Sequence, residues 1–333
     1  MANPHAQGGQ TSPGFGAIVL AAYKPDRSLF RIQLESIARQ THGDFLCLVT
    51  ADGGLGEVEE LVREIVPGDT RFKVIGFDER LGFYRNFERG LTFVPETAEW
   101  VALSDQDDYW YEDKLSKLLP HLADHVLVSG QARVVSDDGE VLEAWTGRTN
   151  ASFLNLFVQN QFTGGLLVFR RSLLDNALPF PRMDSPSELH DHWLAVCAYA
   201  LGSVRIVDEL VQDYIQHGNN VVGEAVKGLH PIQSYRRARE LARRYEGSPT
   251  VASILRLTNS LSFGWRRVMA DALAQRLPSS NARVFQATTA FGKRHAWGPL
   301  WHVFASGLRN GTISVPVALT YAVGGLVEVL RRG

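Results

Sequence analysis

Apolar and polar positions along the first hundred residues fall into a repeating block: a short apolar run, a turn, then apolar residues at helical spacing. Gly16 to Ala22 is such a run, closed by Tyr23-Lys24-Pro25-Asp26, which predicts a buried strand followed by a turn. Phe30, Leu34, Ile37 and Ala38 then recur at helical spacing up to Thr41-His42-Gly43, and Pro25 suits the first turn of that helix. The block repeats: a strand at Phe45 to Thr50 stopped by Ala51-Asp52-Gly53-Gly54, a helix over Glu57 to Ile65, a strand over Phe72 to Phe77, a helix over Tyr84 to Leu91, and a strand over Trp100 to Leu103. Strands alternating with helices through short loops predict an α/β fold, a mostly parallel sheet flanked by helices.

From His125 the elements shorten. His125 to Ser129, Ala132 to Ser136, an Asp137-Asp138-Gly139 turn and Val141 to Trp145 predict a hairpin-like insertion. Gly164 to Phe169 reads as another strand, His190 to Leu201 as a helix closed by Gly202, and Val204 to Val207 as the last strand. Beyond Val222 the pattern is helical and rich in Arg, as in Ser234 to Arg244. Ile313 to Leu330 is apolar but interrupted by Pro316 and Gly324-Gly325, which favours a packed or interfacial helix over a spanning one.

Charge divides the chain. Its net charge is −2, yet residues 1–222 hold 18 basic and 31 acidic side chains and residues 223–333 hold 16 and 5. An acidic body suits a cation or a cation-bridged ligand, and a basic region suits an anionic surface. Cys47 and Cys197 both lie in apolar segments, as buried hydrophobes of a reducing compartment do, and the first residues lack the pattern of an export signal. The expected location is the cytoplasm.

The densest chemistry follows the strand at Trp100. Ser104-Asp105-Gln106-Asp107-Asp108 puts three carboxylates within four residues, and a divalent cation would hold them ionised against their mutual repulsion. At the end of a sheet strand such a cluster suits a metal carrying phosphates; the same spacing also suits a solvated acidic turn. Two histidines flank Asp191, an arrangement that also occurs in phosphohydrolase metal sites, but no matching set of distant ligands accompanies them.

Seven segments, taken in order, carry a family resemblance. Ile18 to Tyr23, Gln33 to Ile37 with Gln40-Thr41, Asp52-Gly53-Gly54, Ser104 to Trp110 with Asp113-Lys114-Leu115, Thr163-Gly164-Gly165, His190-Asp191-His192-Trp193 and Tyr214 to Gly223 resemble the family 2 glycosyltransferases. Among these they are most similar to the bacterial rhamnosyltransferase-like members that build cell-surface polysaccharides. The resemblance implies a GT-A type catalytic domain over 15–223, with a tail at 1–14 and a basic helical region at 224–333. It places the base and ribose at Ala22 and Tyr23 and the base imide at Asp52. Arg85 and Asn86 would meet the diphosphate or sugar at a helix start. Asp105 and Asp107 would face the ribose and the Mn2+ or Mg2+ ion, with Asp108 either sharing the ligand role or supporting it from behind. His217 would be a third metal ligand or a diphosphate contact, and Asp191 the general base of an inverting transfer.

The implied donor is a nucleoside-diphosphate sugar, dTDP-rhamnose by resemblance alone, and the acceptor a hydroxyl of a glycan or lipid-linked molecule. The basic region would rest on the anionic inner face of the cell membrane; no nucleic-acid partner is expected. Three positions depart from the family pattern: Ala51 and Gly54 stand where many relatives have Asp and Ser, and Lys24 where many have Asn. The alternative is a non-catalytic nucleotide-sugar or carbohydrate-binding protein on the same fold.

Overall fold

The computed structural model describes residues 14–183, 185–217, 231–292 and 297–332. The expected tail up to residue 13, the segment Gly218 to Gly223 and the boundary at 223/224 lie outside the described residues.

The elements run β1 (Gly16–Ala22), α1 (Arg27–Ala38), β2 (Phe45–Asp52), α2 (Leu55–Ile65), β3 (Phe72–Phe77), α3 (Phe83–Thr92), β4 (Trp100–Ser104), β5 (Tyr109–Trp110) and α4 (Lys114–Leu118). There follow β6 (Leu127–Ser136), β7 (Val141–Glu143), α5 (Phe153–Val158), β8 (Leu167–Arg170), α6 (Leu174–Ala177), α7 (His190–Leu201) and β9 (Val204–Gln216). Helices complete the chain: α8 (Pro231–Glu246), α9 (Val251–Asn259), α10 (Trp265–Arg276), α11 (Ala282–Phe291), α12 (Trp297–Arg309) and α13 (Val315–Arg332).

Among the described residues the strands form one sheet, ordered β3-β2-β1-β4-β8-β6-β9-β5, with β7 beside β6. The four N-terminal strands are parallel, as the alternation predicts. β8 then pairs antiparallel to both β4 and β6, β9 runs parallel to β6, and β5 antiparallel to β9. The sheet is therefore mixed: wholly parallel through β1 to β4, and of both senses beyond them. β9 is also far longer than the four residues expected. Asp208 and Glu209 interrupt its apolar pattern, but register shifts against β6 accommodate the break and pairing resumes through Gln216.

Strand periodicity of two divides the core. Ala17, Val19, Val101 and Leu103 face a layer with α3, α5 and α7, while Ile18, Leu20, Ala22, Trp100 and Ala102 face α1, α2 and α4. α1 starts where Asp26 accepts from the Ser28 and Leu29 amides at 2.9 and 3.1 Å, and it buries Phe30, Leu34 and Ile37. Trp265, Met269, Leu273 and Phe291 of the basic region join the first layer beside Leu156 and Trp193. The C-terminal helices thus share the body's core. Cys47 and Cys197 are free and buried, and burial raises both thiols, that of Cys197 to about 12, which leaves them inert.

Candidate active site

Parallel register brings the expected residues to one edge. Ala22 pairs with Ala51 and Leu20 with Ser104, so the chain leaves β1, β2 and β4 side by side at their C-terminal ends, where open α/β sheets take ligands. Gln106 fastens two of these exits. Its Oε1 accepts from the Tyr23 amide at 2.7 Å and its Nε2 donates to the Tyr23 carbonyl at 3.2 Å. Tyr23 is half-buried, with the Arg80 guanidinium 4.1 Å over its ring. The next residue, Lys24, has φ 42°, a left-handed conformation that costs Lys more than Asn. Ala22, by contrast, points into the apolar layer and is fully buried. Its side chain is turned away from the expected base and ribose because strand alternation gives that face to Tyr23.

Asp52 holds a loop. Its carboxylate is buried and accepts from the Leu81 and Gly82 amides at 2.6 and 2.9 Å, with Arg89 3.7 Å away. The turn that enters α3 is thereby pinned beside Tyr23. Asn86 is committed within the protein: it is 1% exposed, donates to the Thr50 carbonyl at 2.8 Å and accepts from Thr50 Oγ1 at 2.9 Å and Arg89 at 2.6 Å. The diphosphate contact expected of it is corrected on that ground, since the side chain is buried and both amide atoms already have partners within the protein. Arg85, one residue earlier, is exposed on the first turn of α3.

The three aspartates separate into two tasks. Asp108 is buried, accepts from Gln212 Nε2 at 3.0 Å and from the Ile215 amide at 3.2 Å, and donates its own amide to Gln33 at 3.1 Å. Lys114 is buried beneath it. Its ammonium donates to the Gly165 carbonyl and to Gln212 Oε1 at 2.7 Å, and stands 3.5 Å over the Trp110 ring. Burial opposes the charge on both, raising the Asp108 carboxyl and lowering the Lys114 ammonium, while their opposite charges restrain each shift. Asp107 instead turns to β9, where His217 Nε2 donates to its Oδ2 at 2.9 Å. Burial raises Asp107, and His217 counters it.

Asp105 lies between these groups. Burial first, then the charges of Asp107 and Asp191, push its carboxyl up to about 7, against the pull of Lys114. A methyl group built on Gly165 would sit 3.3 Å from Asp108 Oδ2 and 3.5 Å from Asp105 Oδ2, so the missing side chain there lets the backbone approach both carboxylates. This orientation corrects the expected set Asp105, Asp107 and His217. Among the described residues no three such side chains stand close enough to hold an ion by themselves, because Asp105 turns to Gly165 while Asp107 turns to His217.

With two ligands from the protein, the other four positions of an octahedral ion would have to be supplied from outside. Asp107 and His217 themselves fit one: oxygen and nitrogen ligands at about 2.1 Å on adjacent octahedral positions stand about 3.0 Å apart. The 2.9 Å pair would exchange its shared proton for the cation.

Asp191 opens α7 on the other side of Gly164. Its carboxylate accepts from the His192 amide at 2.6 Å and from the Gly164 amide, and Arg148 lends positive charge. Burial nonetheless carries it up to about 6. The flanking histidines are structural: His190 stacks on Phe87 at 3.9 Å, and His192 Nε2 donates to the Leu156 carbonyl at 2.8 Å. Burial lowers both to about 3, so they stay neutral and make no metal site with Asp191.

Sequence reasoning named Gln106 and Lys114 within motifs without giving either a task, and it missed Gln212, Arg80 and Arg148. The available signal was Lys114 itself, a cation beside Leu115 and Leu118 on a face that is otherwise apolar.

One family model matches part of the chain. Residues 18–177, just under half of the chain, match the model of glycosyl transferase family 2. Over that stretch the chain is similar to the family. Asp191 and His217 of the site lie beyond the matched stretch. Among curated proteins, the chain is 23% identical over 225 residues to "Putative glycosyltransferase EpsH" of Bacillus subtilis (strain 168). That alignment covers 64% of this chain and 64% of the relative, so the chain spans under two thirds of the relative's length.

Solved structures similar to the chain include Staphylococcus aureus TarS 1-349 in complex with UDP-GlcNAc, at 14% identity and TM-score 0.48, covering 83% of this chain and 80% of that one. The mannosyltransferase PcManGT from Pyrobaculum calidifontis in complex with GDP-Man and Mn2+ is 17% identical at TM-score 0.48, covering 95% and 85%.

Proposed function

We propose that this chain is a metal-dependent, inverting glycosyltransferase. It transfers a sugar, dTDP-rhamnose being the leading donor by motif resemblance, to a hydroxyl of a glycan or lipid-linked acceptor at the cytoplasmic membrane face. One observation supports the reading: Tyr23, Asp105, the Asp107–His217 pair and Asp191 converge at the strand ends of a sheet whose residues 18–177 match the model of glycosyl transferase family 2.

Tyr23 and the loop pinned by Asp52 frame the nucleoside, and the exposed Arg85 reaches toward the diphosphate. Asp107 and His217 are the residues that would hold Mn2+ or Mg2+. Such an ion would supply positive charge against the charge that develops on the leaving nucleoside diphosphate. Asp105, raised by burial and its neighbours, is restored to its ionised form by the same positive charge and faces the ribose. Asp191 takes the proton from the acceptor hydroxyl as that oxygen attacks the anomeric carbon opposite the leaving group. Gly164 and Arg148 stabilise its ionised form, and the start of α7 adds a favourable dipole.

Thermal-shift screening of nucleotide sugars with and without Mn2+ tests the donor. A shift that requires both sugar nucleotide and Mn2+ is expected, lost in Asp107→Ala and retained in Asp191→Asn. Turnover with the donor so found should vanish in Asp191→Asn. An absence of shift across all donors, or transfer at the parent rate by Asp191→Asn, overturns the reading.

A further inference from the structure

α13 has two faces of different character. Val317 and Tyr321 turn inward and, with Leu189 and His192 at the start of α7, line a cavity of about 400 Å3. At 3.6 residues per turn, Val315, Leu319, Val323 and Leu326 fall on the opposite side within a sector of about 80°, and all four are exposed. The preceding helix repeats the pattern: Trp301 and Leu308, two turns apart on α12, are exposed, Trp301 at 73%. Phe285 on α11 adds a third exposed ring. Large apolar groups shown by three successive helices indicate a covered surface.

Charge identifies the cover. Residues 281–333 carry six basic side chains and one acidic one. That one acid, Glu328, is buried and ion-paired with Arg267 at 2.8 Å. On the described surface Arg309 and His302 are exposed and, with Arg283, border a second cavity between α5, α11 and α12. Apolar stripes with cations nearby, and no exposed acid among the described residues of 281–333, match an anionic bilayer. No described helix is long and apolar enough to cross a membrane, so the match is to the interfacial layer.

We infer that α12 and α13 lie in the interfacial layer of an anionic bilayer, with the apolar stripe Val315, Leu319, Val323 and Leu326 seated among the lipids. The inner face of the same helix would then hold the cavity at the start of α7 next to that bilayer. This inference rests on the membrane placement proposed above, and its test is independent of glycosyl transfer.

Sedimentation of the full chain with vesicles of phosphatidylcholine, alone or with phosphatidylglycerol, supplies the test without any sugar. Binding to the anionic vesicles only, weakened by salt, is expected. Leu319→Glu/Leu326→Glu should weaken it tenfold or more at an unchanged melting temperature, and Arg309→Gln about fivefold, about 1 kcal/mol. Binding that the double variant leaves intact overturns the surface while sparing the membrane placement. No binding to either vesicle overturns both and leaves the glycosyltransferase reading untouched. A dimer in sedimentation velocity that the double variant dissociates assigns the stripe to a second copy and also overturns the inference.

Discussion

Replacing Lys114 with Met should be one of the costliest single changes in this protein. The ammonium is fully buried, donates to the Gly165 carbonyl and to Gln212 Oε1 and caps the Trp110 ring. Met fills a similar volume, so the loss isolates the charge: two acceptors lose this donor, and Asp105 and Asp108 lose a cation that acts on both. Removing one partner of a buried pair costs about 3–5 kcal/mol, because the other charge remains buried and uncompensated.

For a chain of 333 residues the unfolding entropy is about 0.7 kcal/mol per kelvin, so about 4 kcal/mol lowers the melting temperature by about 6 °C. Asp108→Asn should cost less, since Asn still accepts from Ile215 and Asp105 still faces Lys114. In the double variant the losses should not add: a coupling of about 1–3 kcal/mol is expected between residues sharing the Gln212 bridge. Urea midpoints and calorimetry of the four proteins measure it. A Lys114→Met variant within 1 °C of the parent, or a double variant whose loss equals the sum of the singles, would refute the reasoning.

Transfer should follow the ionisation of Asp191. With its carboxyl raised to about 6, the base is active when deprotonated, so the rate should fall about tenfold per pH unit below 6 and level off above 7. A rate that rises toward pH 5 would contradict this sign. Asp52→Ala should free the Leu81 and Gly82 amides, costing about 1.5–3 kcal/mol in stability and speeding hydrogen exchange at those two positions; unchanged exchange would show that the loop holds itself. Lys24→Asn should stabilise by about 0.5–1 kcal/mol, because Asn tolerates the φ of 42° that strains Lys, and a lower melting temperature would count against that account.

Local signals were sufficient for the first half of the protein. The apolar runs at Gly16, Phe45, Phe72 and Trp100, each followed by a turn and an amphipathic helix, specify parallel strands whose ends must share one edge. Strand and helix periodicity are properties of neighbouring residues, so the sequence determined these elements, the α/β class and the position of the acidic cluster. The bland alternative of a solvated acidic turn fails because Asp108 is buried and Asp105 is pressed against Gly165.

Direction was decided only by the tertiary structure. Asp105, Asp107 and Asp108 lie within four residues, yet one turns to Gly165, one to His217 and one to Gln212, partners 60 to 110 positions away. Asn86 and Ala22 were at the right place in the chain and face inward, while Gln106, Lys114 and Gln212 became site residues through contacts no local pattern encodes. Likewise the length of β9 depends on β6, which lies next to it only once the chain has folded. Long-range hydrogen bonds and burial fix side-chain direction and ionisation, so the sequence named the carboxylates and the fold assigned their work.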